Sequence, residues 1–165
     1  MRLNVIPLKS VGDVKFGMTR GEVRSILGNA EEFKKDPDDD ITTDDFGFCH
    51  VFYDEDDRCE AVEIFDAEVF IDGKQVYPID MDKVIELLPD LEEDDIGSIS
   101  YDRSIGIYAP DDEMESILFG RDGYYDWLNA IKKWKKFYRV MLSNVKETWN
   151  KWARKKLSIN WIAEW

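Results

Sequence analysis

Cysteine, histidine and closely spaced carboxylates are the side chains with which this chain could do chemistry, and the first two are scarce: Cys49, Cys59 and His50 in 165 residues. A thiolate nucleophile needs a cation or base beside it to lower its pKa. Cys49 has no lysine or arginine next to it and reads as a small core residue. His50 falls in a strand-like run, where a half-buried structural histidine is expected rather than an acid–base catalyst. No serine or cysteine stands in a Gly-x-Ser-x-Gly elbow, and no glycine loop of the phosphate-cradling kind occurs. Two cysteines and one histidine fall short of a closed zinc site. If the turn at Asp54–Asp57 closes a hairpin that pairs those two residues, Cys49 lies opposite Val62 and Cys59 opposite Phe52. The thiols would then sit on opposite faces of the sheet, which excludes a disulfide.

Carboxylates are abundant, so calcium is the metal to test. Asp36, Asp38, Asp40 and Asp44 fall at positions 1, 3, 5 and 9 of a twelve-residue loop. Position 6 is Ile41, where glycine is required, and position 12 is Gly47, where a bidentate glutamate is required. A solvated acidic loop is the ordinary reading, and no catalytic, cofactor-binding or metal-ligating residue is assigned. An enzyme would need distant carboxylates to meet in the fold, because no spacing along the chain defines an acid and a base.

The acids have more to say as a surface. They gather at Asp36 to Asp45, Asp54 to Asp57, Glu92 to Asp95 and Asp111 to Glu113. Residues 1–125 hold 12 Lys or Arg against 33 Asp or Glu, a net −21, whereas residues 126–165 hold 10 against 3, a net +7. Such a body repels nucleic acid and steers a basic protein toward it. The expected partner-binding residues are Asp38, Asp39, Asp40, Asp44, Asp45, Phe48, His50, Phe52, Asp54, Asp56, Asp57, Asp111 and Asp112, with Trp134 and Trp149 in the basic segment.

The elements that must carry these residues begin with "VKFGMTRGEVRSILG", residues 14 to 28. Thr19 and Glu22 have capping-box spacing, Val23, Ile26 and Leu27 recur at helical spacing, and Gly28 supplies the stop. "FGFCHVFYDEDDRCEAVEIFD" reads as strand, acidic turn, strand, and Val69 to Ile71 as an edge piece. Residues 77 to 88 repeat the helix grammar at an offset of 61, with Tyr77 for Phe16, Asp80 for Thr19, Val84 for Val23 and Pro89 at the stop. Tyr108 to Phe119 matches Tyr53 to Ile64 at an offset of 55, which suggests an internal duplication. After Gly123, Trp127, Ile131, Trp134, Tyr138, Met141, Val145, then Thr148 or Trp149, and Trp152 follow a 4-3 spacing. That pattern predicts an amphipathic helix of about 25 residues.

"FGMTRGEVRSILG" resembles the Gly-Met-Thr-x-x-x-Val-x-x-x-Leu-Gly signature of the small SmpA/OmlA (BamE-like) domain, through Gly17, Met18, Thr19, Val23, Leu27 and Gly28. "VFYDEDDRCEAVEIF" looks like the strand-turn-strand ending of that domain. The resemblance covers about residues 11 to 120 and implies helices packed on an antiparallel sheet. Beta-lactamase inhibitory proteins resemble two such units in tandem, clamping an enzyme with the sheet. The start "MRLNVIPLKS" lacks the apolar core of an export signal, so the expected address is cytoplasmic. Small acidic cytoplasmic proteins of this kind look like immunity proteins that occlude a toxin.

The expectation is an α+β protein: an antiparallel sheet with short helices in tandem helix-plus-hairpin repeats (about 11–72 and 73–121 of a domain 1–123), then a long amphipathic helix in 124–165. Its expected function is non-catalytic neutralisation of a basic bacterial toxin, without cofactor and without nucleic acid. The Trp-rich helix is expected to pack on that domain, lysines toward solvent, or to extend from it; the alternative function is a scaffold or homodimer joined through that helix, and its lying on an anionic membrane surface is not expected.

Overall fold

The computed structural model describes residues 1–134 and 137, except 36, 39, 95 and 112. The chain divides into Met1–Tyr125 and Asp126–Trp165. The first unit opens with β1 (Arg2–Ile6), β2 (Ser10–Val11) and β3 (Val14–Lys15), followed by α1 (Arg20–Leu27). Then come β4 (Glu31–Phe33), β5 (Thr43–Asp45), β6 (Cys49–Tyr53) and β7 (Cys59–Ile64), and next β8 (Glu68–Ile71), β9 (Lys74–Tyr77) and α2 (Met81–Leu87). The last strands are β10 (Glu92–Asp94), β11 (Gly97–Ser100), β12 (Ile105–Tyr108) and β13 (Ser116–Gly120). In the second unit the described residues are helical at 126–134 and at 137.

The α+β expectation is corrected: the protein is mostly β, with a five-stranded sheet ordered β3-β2-β1-β8-β9 and an eight-stranded sheet ordered β10-β11-β12-β13-β7-β6-β5-β4. Each short helix precedes a four-strand meander rather than a hairpin. The polar segments at 31–33, 43–45 and 92–94, which look like loop in the sequence, hydrogen-bond as outer strands. A long C-terminal helix is not found among the described residues, and positions from Tyr138 onward lie outside them. Val69–Ile71 is no edge piece, since β8 lies between β9 and the parallel strand β1.

α1 forms as its capping box dictates: the Thr19 N–H donates to Glu22 Oε2 at 2.8 Å, the Glu22 N–H donates to Thr19 Oγ1, and Gly28 closes the helix at φ +96°. Val23 is completely buried, whereas Ile26, expected in the core, faces solvent. Asp80 occupies the N-cap position of α2, but its carboxylate makes no cap bond and pairs with Lys83. Val84 is buried as Val23 is.

The core lies on the face of the eight-stranded sheet to which Cys49, Val51, Val62, Ile64, Ile105, Ile107, Ile117 and Phe119 contribute, joined by Val5, Val69 and Val76 of the other sheet. β7 and β13 pair at the centre, where Glu63 stands opposite Leu118 and Val62 opposite Phe119. The strands on either side then mirror one another about that pair. A register shift at Phe52/Tyr53 changes the hairpin arithmetic: Cys49 pairs with Ile64 and Cys59 with Tyr53. Both thiols therefore share the core face, buried and free, instead of facing apart. The same shift separates Tyr53 from Tyr108, which an offset of 55 had matched. Tyr53 is buried, and Tyr108, on the other face, is exposed. Structurally, Tyr53 corresponds to Ala109 (two beyond Val51 and Ile107), since Val51 pairs with Val62 as Ile107 pairs with Ile117.

Candidate protein-binding surface

The helix α1 puts Arg20 and Arg24 one turn apart on the side that meets β5 and the β6–β7 turn. Both guanidinium groups converge on Asp44, whose side chain has no exposure: Arg20 Nη1 donates to Oδ1 at 2.7 Å, Arg24 Nη2 to Oδ1 at 2.6 Å and Arg24 Nε to Oδ2 at 2.8 Å. The Tyr53 hydroxyl adds a bond to Oδ2 at 3.0 Å. Burial pushes the Asp44 carboxyl up, but the bonds from Arg24, Tyr53 and Arg20 outweigh it and hold the pKa below the usual range. Arg24 also reaches Glu32, and Arg20 reaches Asp57 while lying over the Tyr53 ring. Asp44, expected to meet a partner, is instead an internal anchor for α1.

Other expected residues also have structural work. Asp54 accepts from the N–H groups of Asp56 and Arg58 and from Arg121, which closes the β6–β7 turn. Phe52 is buried on the face opposite the core, with the Lys35 ammonium over its ring. Phe48 is half-buried against the core. His50 lies between the rings of Phe33 and Phe65, with centroids 4.9 and 4.7 Å away. Asp45 and Glu63 flank it at 3.8 and 3.6 Å. The Cys49 and Cys59 thiols are pushed up to about 12 by burial, which leaves them protonated and unreactive at neutral pH.

The remaining acids form a surface. Asp38, Asp40, Asp56, Asp57 and Asp111 are exposed, while Asp39, Asp112 and Trp149 lie outside the described residues. Asp54, Glu55, Asp56, Glu60 and Arg121, with Ile41 and Tyr53, line a hollow of about 470 Å³ beside the β6–β7 turn. Burial raises the Glu60 carboxyl, and Arg121, 3.3 Å away, partly offsets that. In the second unit, Trp127, Ile131 and Trp134 present a stripe that is 64, 41 and 62% exposed.

A larger groove was not foreseen from the sequence. It runs between α2 and the β10–β11 edge, with a volume of about 890 Å³, a floor that includes Met81, Ile85 and Ala109, and a rim of Asp80, Asp82, Glu93, Asp94 and Glu113. Its sequence signal was weak, because α2 is an ordinary short amphipathic pattern and β10 looks like an acidic loop.

Among the described residues no group of three or more His, Cys, Asp or Glu is arranged to hold a metal ion, and no helix is long and apolar enough to cross a membrane. No protein-family model, no curated protein and no solved structure matches this chain.

Proposed function

We propose that this chain is a non-catalytic binding protein, an immunity or inhibitor protein of the kind its SmpA/OmlA-like and inhibitor-like resemblance suggests, which neutralises a basic toxin by covering it. The observation that carries this reading is the hollow at the β6–β7 turn, where Asp54, Glu55, Asp56 and Glu60 outnumber Arg121, the one Lys or Arg among its lining residues, and Glu60 is half-buried. A carboxylate that is costly to desolvate gains most from an incoming cation. Exposed acids around it supply the steering field.

The test is to search the neighbouring reading frames for a toxin-like domain and to co-express any such domain with this chain. The wild-type chain should restore growth, and Asp40→Lys/Glu55→Lys/Asp56→Lys, at exposed positions, should slow association about tenfold or more and lose protection. Growth that the wild-type chain leaves unrescued, or rescue that the triple variant leaves undiminished, overturns the reading.

A second reading is favoured by a specific feature: Trp127, Ile131 and Trp134 form an exposed apolar stripe at helical spacing, which suits self-association. Sedimentation of the full chain should then show a dimer that Trp127→Ser/Trp134→Ser converts to monomer. A wild-type monomer at all concentrations removes the scaffold reading.

A further inference from the structure

The two halves of the eight-stranded sheet hold the same backbone positions with different side chains. Glu32, Asp44, Val51 and Val62 share one row of paired residues in the first half. Glu93, Ser98, Ile107 and Ile117 share the matching row in the second. The N-caps Thr19 and Asp80 match in the same way, which puts Met81 at the place of Arg20 and Ile85 at that of Arg24.

In the first half these positions make a closed polar cluster, with both arginines filling the space between helix and outer strands against Asp44, Glu32 and Tyr53. In the second half each of the four central groups is smaller or apolar: Met81 and Ile85 for the arginines, Ser98 for Asp44 and Ala109 for Tyr53. These four residues line the 890 Å³ groove. The acid on the edge strand is kept, Glu93 for Glu32. Five carboxylates in all surround the groove, and no Lys or Arg is among its described lining residues.

We propose that this groove docks an arginine-bearing amphipathic segment of a protein partner. A guanidinium from the partner meets Glu93 as that of Arg24 meets Glu32, and apolar residues beside it cover Met81, Ile85 and Ala109. Arginine suits the site better than lysine, because its planar fork binds a carboxylate in two-point fashion while its weakly hydrated face packs on apolar surface. A metal ion or small cation would leave the apolar floor uncovered. The inference rests on the reading that the natural partner is a basic protein, and it adds where on this chain such a protein holds.

The probe is a fluorescein-labelled, amidated helical peptide with two arginines one turn apart and leucines on the same face, titrated into the full chain by anisotropy. A twin with glutamates for arginines is the control. The arginine peptide should saturate and the twin should not. Asp82→Lys/Glu93→Lys should weaken binding at least about tenfold, whereas Asp13→Lys/Glu68→Lys, the same change of charge at exposed positions in the β2–β3 turn and on β8, should shift it less than about twofold. Ile85→Arg/Ser98→Asp restores two of the first half's four side chains and should block the probe while the circular dichroism spectrum is kept. No saturation at millimolar peptide, or equal weakening by both reversal pairs, overturns the groove. Failure of this titration leaves the toxin-rescue result standing; a saturable, groove-dependent peptide with no toxin rescue overturns the toxin reading and keeps the groove.

Discussion

At the residue scale, Asp44 ties α1 to the sheet: a carboxylate without exposure receives two guanidinium groups and a phenol. Asp44→Asn leaves two cations short of their counter-charge and should cost about 3–5 kcal/mol in denaturant unfolding. The pH dependence follows from the direction of the shift. A carboxyl lowered on folding contributes stability that is whole above its unfolded value of about 3.9 and drains away as pH falls through the lower folded value. Asp44 and Asp54 are both lowered, so stability should fall as the pH drops below about 4, and Asp44→Asn should flatten that limb. The thiols, pushed up to about 12, should resist alkylation at pH 8 until denaturant is added, and rapid labelling of the native protein would refute their burial. This cluster was hard to see in the sequence. Two arginines one turn apart pass for a solvated helix flank, and "TTDD" passes for loop, because the partners are 20 and 24 residues away.

At the element scale, the capping box of α1 was fully legible, since every group in it lies within four residues of the others. Thr19→Ala should lower stability by about 1 kcal/mol. Asp80→Ala should cost much less, because Asp80 makes no side-chain cap bond; thermal melts of the two variants compare them directly. The glycines of β12 and β13 make a second test. A Cβ on Gly106 would stand 2.1 Å from Tyr125 Oη, and one on Gly120 2.5 Å from the Tyr124 ring. Gly106→Ala should therefore displace Tyr125 and destabilise by about 1–3 kcal/mol, read as a change in tyrosine fluorescence and a lower melting temperature. What hid from local pattern was non-local. β1 meets β8 in parallel across more than sixty residues, and a single register shift at Tyr53 moved a correct-looking match onto the wrong face.

At the scale of the whole molecule, charge segregation was readable directly, and it predicts association that falls steeply with salt. Between 50 and 500 mM salt the on-rate for a basic partner should drop about tenfold or more, and a flat profile would deny the acidic surface a steering role. The same carboxylates serve the protein when no partner is present. The eight-stranded sheet ends on β4 and β10, each three residues long, with Glu31 and Glu32 on one border and Glu92, Glu93 and Asp94 on the other. Short, like-charged borders refuse a further strand, so neighbouring molecules cannot stitch their sheets together. Replacing those charges by apolar side chains, Glu31→Val/Glu92→Val, should turn the protein to β-rich aggregate, so that its colloidal life rests on the charge of two three-residue borders.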